Sequence, residues 1–159
     1  MSPTAAARHA DSLAFLLSQV GARSAQLFAE RLAPLGISPR AYGVLSNLAA
    51  AASGRTQQQL SDDLGIHRNN MVGLVDELEA SGWARRHRSS TDRRAFDVRL
   101  TDAGAAMVAR VDAVVPALDD ELARGLDFEQ RLGIIALLRQ IATTAGLRPG
   151  VHPALRGRR

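Results

Sequence analysis

The sequence predicts a mainly α-helical domain that carries one small β-hairpin. Apolar residues recur at helical spacing on both sides of the centre of the chain. After Trp83 the period changes from helical spacing to two, and from Phe96 to Leu100 apolar and charged residues alternate, which indicates strands. Residues with a strong capping preference precede most of the helical stretches. The 159 residues, 46% of them hydrophobic, suit one domain with its own core.

Two helices are predicted in the first third of the chain. The first spans residues 11–34, where leucine and valine recur on one face, and residues 1–10 are expected to be a flexible N-terminus. The second opens with Ser38 as its N-cap and Pro39 in its first turn.

The next two helices are predicted to form a helix-turn-helix. Thr56 and Gln59 match a capping box and start a short helix that ends near Gly65. A second helix extends from about His67 to Ala80, with its apolar residues on one face. In DNA-binding proteins this order of elements places the second helix in the major groove.

Two short strands joined by a basic tip follow this motif. Trp83 leads into ARRHR, and after the turn Phe96, Val98 and Leu100 alternate with charged residues. We expect Trp83 and Phe96 to anchor the hairpin in the core rather than to form a ligand site.

The remaining chain is predicted to be helical. Thr101 caps a long helix that reaches about Arg124. Proline inside a helix removes a donor and clashes with the preceding turn, so this helix either bends near Pro116 or ends at Val115 and restarts. Asp127 is expected to cap the last helix, in a capping box with the glutamine three residues later.

Positive charge is concentrated in two segments. Residues 85–99 hold six arginines and two aspartates, and residues 148–159 hold four arginines and no acidic residue. The net charge of +4 therefore comes from two basic segments on a mildly acidic body. We expect the second segment to be a flexible tail. A basic hairpin directly after a helix-turn-helix indicates contact with DNA rather than a solvated turn.

Several kinds of site are not indicated. The chain has no cysteine, and its four histidines show no metal-ligand spacing, so neither a metal nor another cofactor is expected. No pattern resembles an activated nucleophile beside a base, so an enzyme is not expected. No apolar run is long enough to span a membrane and no signal peptide is evident, which favours a cytoplasmic protein.

The start of the second helix of the helix-turn-helix carries residues suited to reading bases. His67, Arg68, Asn69 and Asn70 lie at its N-terminus, the end that reaches base edges. Asparagine can pair bidentately with adenine, and arginine with guanine. His67 fits a helix cap as well as it fits a base contact.

From about Leu32 to Gly104 the sequence resembles the MarR family of winged-helix transcriptional regulators. The most specific part is DRRAFDVRLTDAG, which is similar to the family's wing motif of Asp, two basic positions, an alternating strand and Leu-Thr-x-x-Gly. The resemblance implies a winged helix-turn-helix in residues 37–100. It also implies flanking dimerisation helices in residues 11–36 and 101–147.

The resemblance further suggests roles for residues of the wing. DNA contacts are expected from four of them, namely Arg86, Arg88, Ser90 and Arg93. Asp92 is expected to pair with Arg94 and fix the tip, since an acid that faced phosphate would repel it. Such a tip suits a narrow A·T-rich minor groove, where negative potential attracts arginine.

Control by a ligand is a further implication of the resemblance. Many family members release DNA when a small compound binds between the dimer helices and the winged helix, so a small aromatic or phenolic effector is expected. Phe28, Arg31 and Tyr42 either line such a pocket or are ordinary packing and surface residues.

The leading hypothesis is a homodimeric regulator, usually a repressor in this family, that binds a palindromic operator in duplex DNA. One alternative is a winged helix that binds RNA or single strands, and another is a module whose wing docks an acidic protein. The basic tip contains no aromatic residue on which bases could stack, which disfavours single-stranded nucleic acid. Specific binding to a palindromic duplex would separate the leading hypothesis from both alternatives.

Overall fold

The computed structural model describes residues 9–88, 96–148 and 150 of the chain. The helices that position the site are α1 (Leu13–Leu32), α2 (Pro39–Ala49), α3 (Gln57–Leu64), α4 (Arg68–Ala80), α5 (Asp102–Asp112), α6 (Val115–Leu122) and α7 (Phe128–Thr144). The strands are β1 (Arg55–Thr56), β2 (Ala84–Arg88) and β3 (Phe96–Leu100), and a 3-10 turn, Ala33–Leu35, follows α1. The molecule is mainly helical with a small antiparallel sheet, as the sequence predicts.

Three of the predicted helix starts are confirmed by side-chain caps. Ser38 Oγ accepts a hydrogen bond from the backbone N–H three residues on, at 3.1 Å. Thr56 and Gln59 form the capping box, with N···O distances of 3.2 and 2.8 Å. Asp127 and Gln130 form a second one at 2.9 and 3.0 Å. Each cap satisfies an orphan donor and stabilises its helix by about 1 kcal/mol.

The chain after Thr101 forms two helices instead of one long one. α5 ends at Asp112 and α6 begins at Val115, so Pro116 lies in the first turn of α6. An N–H at that position has no helical partner in any case, so proline costs little there. The prediction of a helix that ends and restarts is confirmed, although it ends at Asp112 rather than Val115. The prediction of one bent helix reaching Arg124 is wrong.

The sheet has three strands in the order β1–β3–β2, whereas the sequence predicts only the β2–β3 hairpin. In β3, Val98 pairs with Arg86 of β2 on one side and with Arg55 of β1 on the other. A two-residue strand whose second residue is a helix cap is too short to show alternation, so the sequence does not reveal β1. β2 is consequently an edge strand of this sheet.

The core lies among α2, α3, α4, α5 and the inner face of the sheet. Its fully buried side chains are Leu32, Val44, Leu45, Leu48, Leu60, Leu64, Met71, Val75, Leu78, Val98 and Val111. Trp83 packs against this cluster as predicted. Phe96 is 50% exposed, so the prediction that it anchors the wing is wrong. It lies opposite Arg88 at the far end of the hairpin, beyond the last core residue of its strand.

Helices α1 and α7 carry large apolar side chains that nothing in the described chain covers. No residue of α7 is buried, and Phe128 and Leu137 are 71% and 60% exposed. On α1, Leu13 and Val20 are 64% and 57% exposed. Large exposed apolar patches are typical of interaction sites, so we expect a partner to cover these helices. No helix in the described ranges is long and apolar enough to cross a membrane.

Candidate nucleic-acid interface

Helices α3 and α4 are joined by a tight turn at Gly65. This glycine adopts the left-handed conformation, with φ at 65°, and its N–H donates to the carbonyl oxygen of Ser61. Ile66, the residue after Gly65, is buried, and so are Leu64 on α3 and Met71 on α4. The turn holds α4 across α3, so this segment is a helix-turn-helix.

The N-terminus of α4 projects four exposed polar side chains, those of His67, Arg68, Asn69 and Asn70. His67 is the N-cap, and its Nδ1 accepts a hydrogen bond from the backbone N–H of Asn69 at 3.3 Å. The interpretation of His67 as a helix cap is thus confirmed, while a base contact by its other ring nitrogen stays a prediction. The positive end of the helix dipole adds to the attraction for phosphate at this position.

The wing, formed by β2, β3 and the segment between them, carries arginines on both faces of the sheet. On the outer face Arg85 lies directly opposite Arg99, and both side chains are exposed. Two like charges at facing positions destabilise a sheet, and a bound anion would offset this repulsion. Neither arginine is among the predicted contacts, because only the register of the hairpin reveals that they face each other.

On the inner face Arg86 is bonded to α4. Its Nη2 lies 2.7 Å from Asp76 Oδ1, and its Nη1 donates to Glu79 Oε2. Glu79 Oε1 also accepts the backbone N–H of Arg86 at 2.7 Å. Burial lowers the pKa of Arg86, but the hydrogen bonds and charges of the two carboxylates outweigh it, so the pKa is raised. The structure therefore places Arg86, an expected DNA contact, in an ion-pair network with α4.

Of the other residues expected to act in the wing, only Arg88 lies among the described residues. Arg88 is exposed at the end of β2, on the same face as Arg86, and its contact with DNA stays a prediction. Ser90, Asp92, Arg93 and Arg94 lie outside the described residues. Their DNA contacts, and the expected pair between Asp92 and Arg94, also stay predictions.

Thr101 and Gly104 join the wing to α5. Thr101 Oγ1 donates to the carbonyl oxygen of Gly82 at 2.6 Å and accepts from the backbone N–H of Gly104 at 3.0 Å. The backbone N–H of Thr101 donates to the carbonyl oxygen of Trp83 at 3.1 Å. A Cβ atom on Gly104 would lie 2.0 Å from that same oxygen. The Leu-Thr-x-x-Gly segment is therefore a helix cap that also closes the base of the wing.

Phe28, Arg31 and Tyr42 are engaged by neighbouring side chains. The rings of Phe28 and Tyr42 meet edge to face at 5.7 Å, and Tyr42 Oη donates to Asp112 Oδ1 at 2.7 Å. Burial, together with the hydrogen bond and charge of Asp112, raises the pKa of Tyr42 to about 12. Arg31 Nη2 lies 2.7 Å from Glu121 Oε2, in an ion pair. The packing role is thus visible for all three residues, and a role in a pocket stays a prediction.

The end of the described chain returns to the helix-turn-helix. Arg148 Nη1 donates to the carbonyl oxygens of Asp62 and Asp63, at 3.2 and 3.4 Å, in the last turn of α3. A cation there is favoured by the negative end of the helix dipole. The basic segment that starts at Arg148 was expected to be flexible, and apart from residue 150 its remainder lies outside the described residues.

These elements define a class of protein. A helix-turn-helix whose second helix exposes arginine and asparagine at its N-terminus, followed by a basic β-hairpin, is a winged-helix DNA-binding domain. The described residues supply both DNA-facing elements, the recognition helix α4 and the strands of the wing.

Comparison with known proteins identifies the family. The family model for MarR matches residues 35–95. The transcriptional repressor CouR bound to a 23-mer DNA duplex is 32% identical, over 89% of this chain and 99% of that chain, with a TM-score of 0.75. CouR from Rhodococcus jostii bound to p-coumaroyl-CoA is 27% identical, over 90% and 97% of the two chains, with a TM-score of 0.73. A mutant of MarR from E. coli complexed with operator DNA is 28% identical, over 81% and 92%, with a TM-score of 0.69. The chain belongs to the MarR family of winged-helix, DNA-binding transcription regulators.

Proposed function

We propose that the chain is a homodimeric repressor that binds a palindromic operator in double-stranded DNA. The observation that carries the proposal is the exposed N-terminus of α4, where Arg68, Asn69 and Asn70 follow the capping residue. Arginine and asparagine are the side chains that pair bidentately with guanine and adenine. Each good pair discriminates against the wrong base by about 1–3 kcal/mol.

The exposed apolar faces of α1 and α7 support a dimer. A second copy of the chain would cover side chains such as Leu13 and Leu137, which are 64% and 60% exposed. A two-fold dimer presents two recognition helices to successive turns of the major groove, so its operator is expected to be palindromic. Doubling the contacts also supplies the interface area that specific binding at physiological salt needs.

The relatives support repression and binding to an operator. One similar protein is a repressor solved on a DNA duplex, and another was solved with its operator. We carry both properties over to this chain as parts of the proposal. The residues proposed to meet bases are His67, Arg68, Asn69 and Asn70, and those proposed to meet the DNA backbone or minor groove are Arg88, Ser90 and Arg93.

A small aromatic or phenolic effector is the proposed signal for release. A similar protein was solved with p-coumaroyl-CoA, which contains a phenolic ring. In this chain the region between α1, α2 and α5 holds Phe28 and Tyr42, whose rings would stack with such a ligand. Arg31 lies one turn from Phe28 and would meet an acidic group of the ligand after release from Glu121.

The test is selection of duplexes from a random pool by the full-length protein, followed by binding measurements. The selected duplex, a scrambled duplex and single-stranded RNA of the same length are compared at physiological salt. We expect a palindrome bound at least about 1000-fold more tightly than the scrambled duplex. Equal affinity for all three would remove the proposal in favour of an RNA-binding or protein-binding module.

A further inference from the structure

Arg86 ties the wing to the recognition helix by more than a surface ion pair. Its guanidinium bridges two carboxylates, Asp76 and Glu79, that lie one turn apart on α4. The side chains of Arg86 and Glu79 are 23% and 30% exposed, that of Asp76 is 60% exposed, and the strand neighbour of Arg86 across the sheet is the fully buried Val98. The hydrogen-bonded pair with the half-buried Glu79 therefore holds a fixed geometry, and the pair with the exposed Asp76 contributes less to it.

Glu79 also covers the edge of the sheet. In β2, which has β3 as its neighbour on one side, the backbone N–H of Arg86 points away from β3 and donates to Glu79 Oε1. An unpaired N–H on an edge strand would otherwise need water or another strand. The same carboxylate thus holds both the backbone and the side chain of one wing residue.

A small rotation of the wing about its base would displace its tip by several ångströms, and the bonds of Arg86 restrict that rotation. The turn after α4 provides another attachment, where the backbone N–H of Trp83 donates to the carbonyl oxygen of Leu78 at 2.9 Å. The strand from Trp83 to Arg88 is roughly 17 Å long at the usual rise per residue. A rotation of about 10° about its base would move Arg88 by about 3 Å, more than a hydrogen bond tolerates. The bonds of Arg86, partway along this strand, oppose that rotation.

We propose that Arg86 is a positioning residue, which fixes the wing against the recognition helix and does not itself bind DNA. This replaces the contact expected for Arg86 from the family resemblance. It rests on the proposed function and deepens it, because both elements must meet one duplex at the same time. Asp76 and Glu79, which phosphate would otherwise repel, are the helix side of the attachment.

Removal of the Asp76 and Glu79 carboxylates distinguishes a positioning role of Arg86 from direct contact with DNA, because the two roles predict opposite changes in operator affinity. In the double variant Asp76→Asn with Glu79→Gln, two negative charges per protomer disappear from a DNA-binding helix, and Coulomb attraction alone predicts tighter binding. A loosened wing predicts that affinity for the operator falls roughly tenfold, while affinity for a scrambled duplex does not fall. Glu77→Gln is the matched control, because it removes a charge from an exposed neighbour on the same helix and leaves the attachment intact.

The arginine side is tested by salt dependence. Arg86→Gln should weaken operator binding by about tenfold, without lowering the slope of log affinity against log salt concentration. Arg86→Lys should weaken operator binding to a similar extent, because an ammonium lacks the planar fork with which a guanidinium bridges two carboxylates. Arg88→Gln is the comparison on the same face of the same strand, and a lost phosphate contact there lowers the slope by roughly one per wing.

Either tighter operator binding by the double variant or a lower salt slope for Arg86→Gln would overturn the proposal. Thermal melting of every variant verifies that the domain is folded. The attachment has its own readout without DNA, hydrogen exchange at the Arg86 amide. Exchange should accelerate in Glu79→Ala and not in Glu77→Ala, and unchanged exchange in Glu79→Ala would refute the attachment. If the wild-type protein does not distinguish operator from scrambled duplex, the proposed function fails, and the exchange experiment still decides the attachment.

Discussion

Gly104 at the base of the wing and Gly73 in the recognition helix differ in the space available for a side chain. A Cβ atom on Gly104 would lie 2.0 Å from the carbonyl oxygen of Trp83 and 2.8 Å from Leu100 Cδ1, so backbone must move. A Cβ atom on Gly73, in the middle of α4, would meet nothing within 4 Å. We expect Gly104→Ala to lower the free energy of unfolding by at least about 2 kcal/mol. Gly73→Ala should raise it by about 0.5–1 kcal/mol, because alanine favours the helix. Urea denaturation measures both, and equal effects would show that the close approach is absent.

Tyr42 offers a second test with single-residue resolution, because it is the single tyrosine of the chain. Its pKa is raised from 10.0 to about 12, first by burial and then by Asp112. The folded state therefore holds the phenolic proton more tightly than the unfolded state. This contribution to stability is complete below pH 10.0 and is lost as the pH rises towards 12.

A near-ultraviolet titration of tyrosinate measures this pKa directly. We expect a midpoint near pH 12 in the wild-type protein. Asp112→Asn should lower the midpoint without returning it to 10.0, because burial, the larger cause, remains. Tyr42→Phe should remove the associated loss of stability at high pH. A wild-type midpoint at 10.0 would show that the hydroxyl is exposed and not bonded to Asp112.

At the scale of elements, features fixed by local chemistry could be predicted from the sequence. The caps at Ser38, Thr56 and Asp127 each depend on residues within one turn, and all three are confirmed. The break near Pro116 is also local, although the helix ends at Asp112, three residues before the predicted Val115. β1 could not be predicted, because its two residues form a strand only through pairing with β3.

The candidate site divides in the same way. The exposed N-terminus of α4 follows from a local pattern of capping and periodicity. The partners of Arg86 do not, since Asp76 and Glu79 come close to it only when the hairpin folds back on α4. The facing arginines Arg85 and Arg99 likewise depend on the register of two strands.

The recognition helix and the wing should respond differently to substitution. Asn69→Ala or Asn70→Ala should relax preference at particular operator positions, because a base pair contact discriminates by ~1–3 kcal/mol. A neutral amide releases no counterion, so the salt slope should stay the same. Arg93→Ala should weaken binding to all duplexes and lower the slope by roughly one per wing. A lower slope for Asn69→Ala, with an unchanged slope for Arg93→Ala, would reverse the assignment.

At the scale of the whole molecule, the distribution of apolar surface separates the chain into two parts. The helix-turn-helix and the sheet share with α2, α5 and the end of α1 a core whose eleven largest fully buried side chains are covered within one chain. α7 contributes no buried residue to a single chain, although leucine and isoleucine recur throughout it. Most of the stability of a helix in a protein comes from tertiary packing of its apolar residues, and α7 lacks such packing within one chain. We therefore expect two chains to supply the missing contacts for each other through α1 and α7.

Substitutions on α7 test this expectation without truncating the chain. Leu137 is 60% exposed, so Leu137→Glu should leave the fold of one protomer intact while placing a charge in the proposed interface. Gln140→Glu adds the same charge at an exposed polar position of the same helix and serves as the control. In sedimentation equilibrium at micromolar concentration, we expect dimers for the wild type and for Gln140→Glu, and monomers for Leu137→Glu. Removal of residues 127–159 should also give monomers.

Monomeric variants should also bind DNA differently. One recognition helix and one wing make half of the contacts, so these variants should lose specific binding to the operator while retaining weak, salt-sensitive binding to any duplex. A wild-type chain that sediments as a monomer, yet binds the palindrome with full specificity, would contradict the dimer.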